Sequence, residues 1–192
     1  MEPNPRVFPL PSSEAEEVGL LRRVAGGQRS AFDALYRSYW PRLHRFLSQV
    51  THRPQLVDEL INDTMLVVWR SAVSFRGDSR LSTWIFAIAY KKALKRMKDR
   101  EPALPLAPIE EELSPDDPER EAMLAQLRAR LNRAMATLSA EQRASVELTY
   151  YHGYAYPEIA QIMDCPVDTV KTRMFHARRK LRLLLDAQSE EI

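Results

Sequence analysis

The sequence predicts an all-α chain of two small helical domains, the second a helix-turn-helix. Three observations lead there. Apolar residues recur at three- and four-residue steps through much of the 192-residue chain, which is the period of one helix face. Glycine is scarce, at five residues, and strand-like alternation is scarce too. Nine of the thirteen prolines lie in the first eleven residues or between Pro102 and Pro118. Proline lacks an N–H and restricts the residue before it, so both stretches read as non-helical. The expected organisation is a flexible segment over 1–17, a first domain over 18–100, an acidic Pro-rich linker over 101–121, a second domain over 122–187 and a tail over 188–192.

In the first domain Phe32, Leu35, Tyr36, Tyr39, Leu43, Phe46 and Leu47 form one helical stripe, with Ser30 as its expected N-cap. Pro41 predicts a kink or break near Trp40. Pro54 to Ala72 reads as a second long helix, and Val73 to Leu81 as a loop. Ser82 or Thr83 is expected to cap a third helix starting at Trp84. In the second domain Leu124, Leu127, Leu131, Met135 and Leu138 make a helix face. Ser139 and Gln142 have capping-box spacing. Gly153 suits a left-handed helix end, and Pro157 suits a helix start. A turn at Asp164-Cys165-Pro166 leads into a last helix ending near Leu185.

Composition excludes several classes. The chain is 45% hydrophobic and 28% charged, too apolar for a disordered protein. No apolar run approaches the roughly 18–20 residues of a membrane span. The N-terminus has no basic region followed by an apolar core, as a secretory signal would. The lone Cys165 has no partner for an internal disulfide, which fits a reducing cytoplasm. There is no phosphate loop and no nucleophile–base motif, and the four histidines are scattered, so no catalysis and no cofactor are expected. His44 and His52 read as surface helix positions.

Net charge is only +2, but its distribution is uneven. Lys91 to Arg100 holds six basic residues and one acid, and Val167 to Arg182 six basic residues, His176 and one acid. Between them, Glu101 to Glu121 holds eight acids and one arginine.

The segment YPEIAQIMDCPVDTVKTRMFHARRKL carries the sharpest signal. A short helix, a turn and a cationic helix make the helix-turn-helix layout. Val170, Met174, Ala177 and Leu181 share one face of the last helix, while Thr172, His176 and Arg179 lie about 200° away. Thr169, Lys171, Thr172, Arg173 and His176 are placed to reach base edges, and Arg178, Arg179, Lys180 and Arg182 to reach phosphates. The bland alternative is a solvated basic face.

This segment resembles region 4 of the extracytoplasmic-function (ECF) sigma factors, with its EIA, TVKSR-like and AR-x-x-L elements. That module is a helix-turn-helix (winged-helix-like) domain which binds the minus-thirty-five promoter element. Carried over by position, Thr169, Lys171, Thr172, Arg173, His176, Arg178 and Arg179 are the candidate contacts. Asp164 stands where a turn glycine is usual, and Ala155 where a capping serine is frequent.

LVDELINDTMLVVWR places Asp58, Glu59, Asn62 and Asp63 as one polar patch on an apolar helix. No Glu-x-x-His pairing accompanies it, so a metal site is disfavoured. The stretch resembles region 2.2, which docks on a coiled coil of the largest polymerase subunits. The resemblance implies polymerase binding by Asp58, Glu59, Asn62, Asp63 and Met65, with Asn62 for a usual Gln and Met65 for a usual aromatic.

STWIFAIAYKKALKRMKDR sets aromatics beside cations, an arrangement suited to single-stranded DNA. Trp84 and Phe86 read first as core residues. The stretch resembles regions 2.3 to 2.4, which melt and hold the minus-ten element. That implies contacts by Trp84, Tyr90, Lys91, Lys92, Lys95, Arg96 and Lys98. Lys91 replaces a frequent Asn and Lys95 a frequent Asp, so the usual minus-ten preference is not carried over.

The resemblance therefore implies a sigma factor with no enzymatic activity. It binds core RNA polymerase and promoter DNA, is held by an anti-sigma factor, and inserts in no membrane. The acidic linker reads as a tether, or, by resemblance, as a segment threading towards the polymerase active-site channel. The rival reading is a stand-alone helix-turn-helix regulator with a helical sensor or dimerisation domain. Such a regulator needs neither the DELINDTM patch nor a second basic helix.

Overall fold

The computed structural model describes residues 13–98 and 118–187. The linker through residue 117, Arg100, the first twelve residues and the tail fall outside them. Among the described residues every regular element is helical, so the helix-turn-helix carries no wing.

The first half contains α1 (Glu14–Ala25), α2 (Arg29–Thr51), α3 (Pro54–Ser71), a 3-10 turn (Ala72–Ser74) and α4 (Leu81–Lys98). The expected boundary at 17/18 therefore falls inside α1. That helix is marked by Glu14, Glu16 and Glu17 in its first turn and Arg22 and Arg23 in its last, each suited to the helix dipole. Buried Glu17 accepts from the Tyr39 hydroxyl and from Arg42 at 3.1 Å, which fastens α1 to α2.

Helix α2 runs through Pro41 without a break. An interior proline costs about 3 kcal/mol. Tyr39, Leu43, Phe46 and Leu47 are all fully buried, and each contributes roughly 1.5–3 kcal/mol. Packing outweighs the proline, so of the expected kink or break the break does not occur. Ser30 lies within the first turn, and Gln28 is the N-cap. The helix stops at His52, whose φ of 53° is left-handed; Arg53 precedes Pro54, where a helical conformation is disfavoured. His52 is buried rather than on the surface. Helix α4 begins one turn earlier than expected, so Ser82 and Thr83 are buried first-turn residues rather than caps.

The second half contains α5 (Pro118–Ala136), α6 (Ala140–Tyr150), α7 (Tyr156–Met163) and α8 (Val167–Ala187). The Ser139–Gln142 capping box forms, with bonds of 3.2 and 3.1 Å. At α7 only the reciprocal half exists: Glu158 accepts from the Ala155 N–H at 2.9 Å, and Ala155 has no side-chain acceptor to return. Gly153 takes φ +69°. The apolar face of α5 is only partly covered: Met135 and Leu138 are buried, but Leu127 and Leu131 remain 55% and 46% exposed.

The two halves share one continuous core. Helix α6 packs across α2 and α7 across α4. Phe86 of α4 stacks edge-on against His152 at 4.8 Å and Tyr154 at 5.6 Å. Arg143 of α6 donates to the Val50 carbonyl at 2.9 Å, placing a cation at the carbonyl end of α2.

Candidate nucleic-acid interface

The helix-turn-helix is built by α7 and α8. Asp164 closes α7 in the left-handed conformation, φ 51°, with its N–H directed to the Ala160 and Gln161 carbonyls. Aspartate tolerates this geometry better than most residues, so the turn forms without a glycine. Val170, Met174 and Ala177 are buried. That burial fixes the rotation of α8 and turns Lys171, Thr172, His176, Arg178 and Arg179 into solvent.

Thr169 and Arg173 lie on another side of α8 and are half-buried. Arg173 donates to the Cys165 sulfur at 3.3 Å. Arg178 is held by the hydroxyls of Tyr150, at 2.8 Å, and Tyr156, at 3.2 Å. An open cleft of about 790 Å³ runs along this side, lined by Tyr156, Lys171, Phe175, Arg178, Arg179 and Arg182. Phe175 was not among the sequence candidates. It is 63% exposed in the middle of the cationic row. The available signal was its position one residue past the buried Met174, which carries it off the core face.

On α3, Asp58, Glu59, Asn62 and Asp63 are all exposed, as a docking patch requires. Met65 is not part of it. Its side chain is 1% exposed within the core, because it follows the buried line Val57, Leu60, Ile61 and Val68. Asn62 accepts from the Tyr36 hydroxyl at 2.7 Å. Two acids of the patch pair with cations of α4: Asp63 with Lys92 at 3.4 Å, and Glu59 with Arg96. Partly solvated pairs of this kind contribute about 0–1 kcal/mol.

The structure separates the α4 candidates. Lys91, Lys95 and Lys98 are exposed, whereas Lys92, Arg96 and Trp84 are half-buried. Trp84 packs on Phe75 at 5.3 Å. Tyr90 is 2% exposed, and burial pushes its hydroxyl pKa upward while the Arg173 guanidinium opposes the shift. In this arrangement Tyr90 is core at the seam between the halves and presents no stacking face. Lys91 reaches across the same seam to Asp164 at 3.0 Å. No group of three or more His, Cys, Asp or Glu among the described residues is arranged to hold a metal ion. None of the described helices is long and apolar enough to cross a membrane.

Comparison with known proteins accounts for both halves. The family description "Sigma-70 region 2" matches residues 35–102, and "Sigma-70, region 4" matches 128–181. The chain is 34% identical over 172 residues to the ECF RNA polymerase sigma factor SigM of Mycobacterium tuberculosis, covering 90% of this chain and 86% of that protein. The chain belongs to the ECF sigma factors. The ECF RNA polymerase sigma-E factor of Escherichia coli is 30% identical over 181 residues, covering 88% of this chain and 94% of that one. The sigma fold recurs in CnrH, solved with the cytosolic domain of CnrY, at a TM-score of 0.65 and 24% identity over 89% of this chain and 97% of that one. It recurs in RpoE of Bartonella quintana, solved with the anti-sigma factor NepR, at a TM-score of 0.61 and 23% identity over 77% and 91%. The region 2 match sets aside the stand-alone regulator, which has no use for such a domain.

Proposed function

We propose that this sigma factor docks on core RNA polymerase through α3, reads the minus-thirty-five element with α8, and opens and holds the minus-ten element with α4. The observation that carries this is the coexistence in one chain of an exposed polar patch, the acids Asp58, Glu59 and Asp63 with the amide Asn62, and two separate cationic helices. The patch suits a basic partner surface. The row Lys171, Thr172, Phe175, His176 and Arg179 suits a major groove, where cations and hydroxyls bond to base edges and an aromatic meets a thymine methyl. Lys92, Lys95, Arg96 and Lys98 suit the phosphates of a separated strand. Core polymerase supplies the chemistry of RNA synthesis; the sigma factor supplies its address. An anti-sigma factor is the expected inhibitor, supported by the Bartonella relative in fold, which is bound to one.

The test is run-off transcription with purified bacterial core polymerase on a library of promoter fragments. Starts that depend on this protein, and that disappear with Glu59→Arg while duplex binding persists, are the expected outcome. No starts with several cores, together with tight promoter binding by the protein alone, would overturn the proposal.

A further inference from the structure

We infer that Arg178, Tyr150 and Tyr156 form a fixed seat for one phosphate of the duplex backbone, with Tyr150 as a positioning residue that lies outside the helix-turn-helix. The inference rests on the reading of α8 as the minus-thirty-five helix and adds to it a residue of α6. Arg178 Nε donates to the Tyr150 hydroxyl at 2.8 Å, and Nη2 donates to the Tyr156 hydroxyl at 3.2 Å. Tyr150 is the last residue of α6 and Tyr156 the first of α7, so two neighbouring helices converge on one guanidinium of α8.

Both partners of Arg178 are phenols, and their chemistry separates this contact from others in the fold. Arg42 is held by the Glu17 carboxylate at 3.1 Å and Arg45 by the Glu147 carboxylate at 2.7 Å. A carboxylate fixes a guanidinium and cancels its charge. A neutral phenol fixes it and leaves the charge for an anion. A guanidinium has five N–H donors. Nε and one donor of Nη2 are engaged, so both donors of Nη1 and one of Nη2 remain. They form a fork that matches two phosphate oxygens. Arg178 is itself exposed, so water would satisfy it without either tyrosine.

The seat has a rigid base. Leu148 is fully buried, and Thr149 bonds the Ser145 carbonyl at 2.7 Å and the Met174 sulfur of α8 at 3.7 Å, so Tyr150 starts from a fixed point. The seat also lies in line with other candidate contacts. Lys171, Phe175, Arg178 and Arg182 follow one another on α8 at steps of four, three and four, which makes one stripe. All four line the open cleft together with Tyr156. An arginine that swings in from solvent loses rotamer freedom when it binds; one already held loses less. Phosphate contacts set the register of a protein on the duplex. A held Arg178 therefore fixes where Phe175, one turn away, meets the groove.

The experiment measures binding of holoenzyme, made from bacterial core polymerase and the full chain, to promoter duplexes in which one backbone phosphate at a time is replaced by an uncharged methylphosphonate. Expected is one position, or two adjacent ones, where the replacement weakens binding of the parent on the order of tenfold and leaves that of Arg178→Ala unchanged. Tyr150→Phe keeps the ring and removes only the hydroxyl. It is expected to weaken binding to the unmodified duplex by about three- to tenfold and to lose most of the sensitivity at that same position. Arg178→Lys keeps the charge but not the fork, and is expected to behave as Tyr150→Phe does. A bond that serves only to fasten α6 to α8 gives a different result: Tyr150→Phe then weakens binding to every duplex alike and keeps the sensitivity. That outcome overturns the inference, as does a Tyr150→Phe chain that binds like the parent, or the lack of any position whose effect vanishes in Arg178→Ala. Phe175→Ala and Arg179→Ala in the same assay report on α8 as a whole. If they weaken promoter binding, the functional reading stands even where the seat fails; if they do not, that reading falls too.

Discussion

Phe175 and Arg179 neighbour each other in space on α8, and under the proposed function they differ in the physics they would bring to DNA. Arg179 is exposed and charged, so a phosphate contact proposed for it would release counterions. Phe175 is exposed and uncharged, so the contribution proposed for it is contact with a base edge. Arg179→Ala is expected to weaken duplex binding on all sequences and to lower the salt slope by about one. Phe175→Ala is expected to leave the slope unchanged and to cost roughly 1–3 kcal/mol at the base pair it contacts. Binding isotherms on promoter and scrambled duplexes at several salt concentrations separate the two; a changed slope for Phe175→Ala would argue against direct base contact. The exposure of Lys171, Arg178 and Arg179 was legible in the sequence because a helix face crowded with like charges stays solvated. The burial of Met65 and Tyr90 was not. Each fits an apolar face as well as a functional one, and only the partner helix decides which: Met65 joins the α3 core line, and Tyr90 meets region 4.

At the scale of elements, the start of α6 matters for everything in the second half, because α6 carries both Arg143 and Glu147 to the first half. Its capping box satisfies two N–H groups that the helix leaves without partners. Ser139→Ala is expected to cost about 1 kcal/mol, read as a shift of the denaturation midpoint at unchanged slope. A neutral effect would mean that water replaces the cap. This element could be read from sequence because a capping box is a local pattern with fixed spacing. The continuous α2 could not, since the penalty of Pro41 is local while the compensating burial of Tyr39 and Leu43 comes from helices distant in sequence. Helix α1 escaped for a related reason: its apolar positions, Leu21 and Val24, are few, and its fastening depends on a carboxylate, Glu17, that meets Tyr39 only in the fold.

For the whole molecule, the seam between the halves has a pH dependence whose sign follows from two histidines. His152 sits among Phe46, Phe86 and Tyr154, and its Nε2 has no hydrogen-bond partner among the described residues. Burial first, then the Arg42 and Arg45 guanidinium groups, lower its pKa to about 3. His52, at the end of α2 beside Arg143, is lowered to about 4, again chiefly by burial. Both are neutral in the folded chain and titrate near 6.5 when unfolded. Their contribution is complete above pH of about 6.5 and declines as pH falls towards 4, because there the unfolded chain binds more protons. The loss is on the order of 1 kcal/mol per pH unit for each histidine. Glu147 works the other way: burial raises its pKa against the pull of Arg45, so the folded state takes up a proton there as pH falls and softens the slope. Thermal unfolding between about pH 7.5 and pH 5 should therefore show a falling midpoint, and His152→Phe should flatten the curve. If the seam is where His152 acts, the distance between one fluorophore placed in each half lengthens over the same pH interval before the helices melt, and in His152→Phe it does not. A distance that changes only together with helix content would place the titration in general unfolding instead of in the joint between the halves.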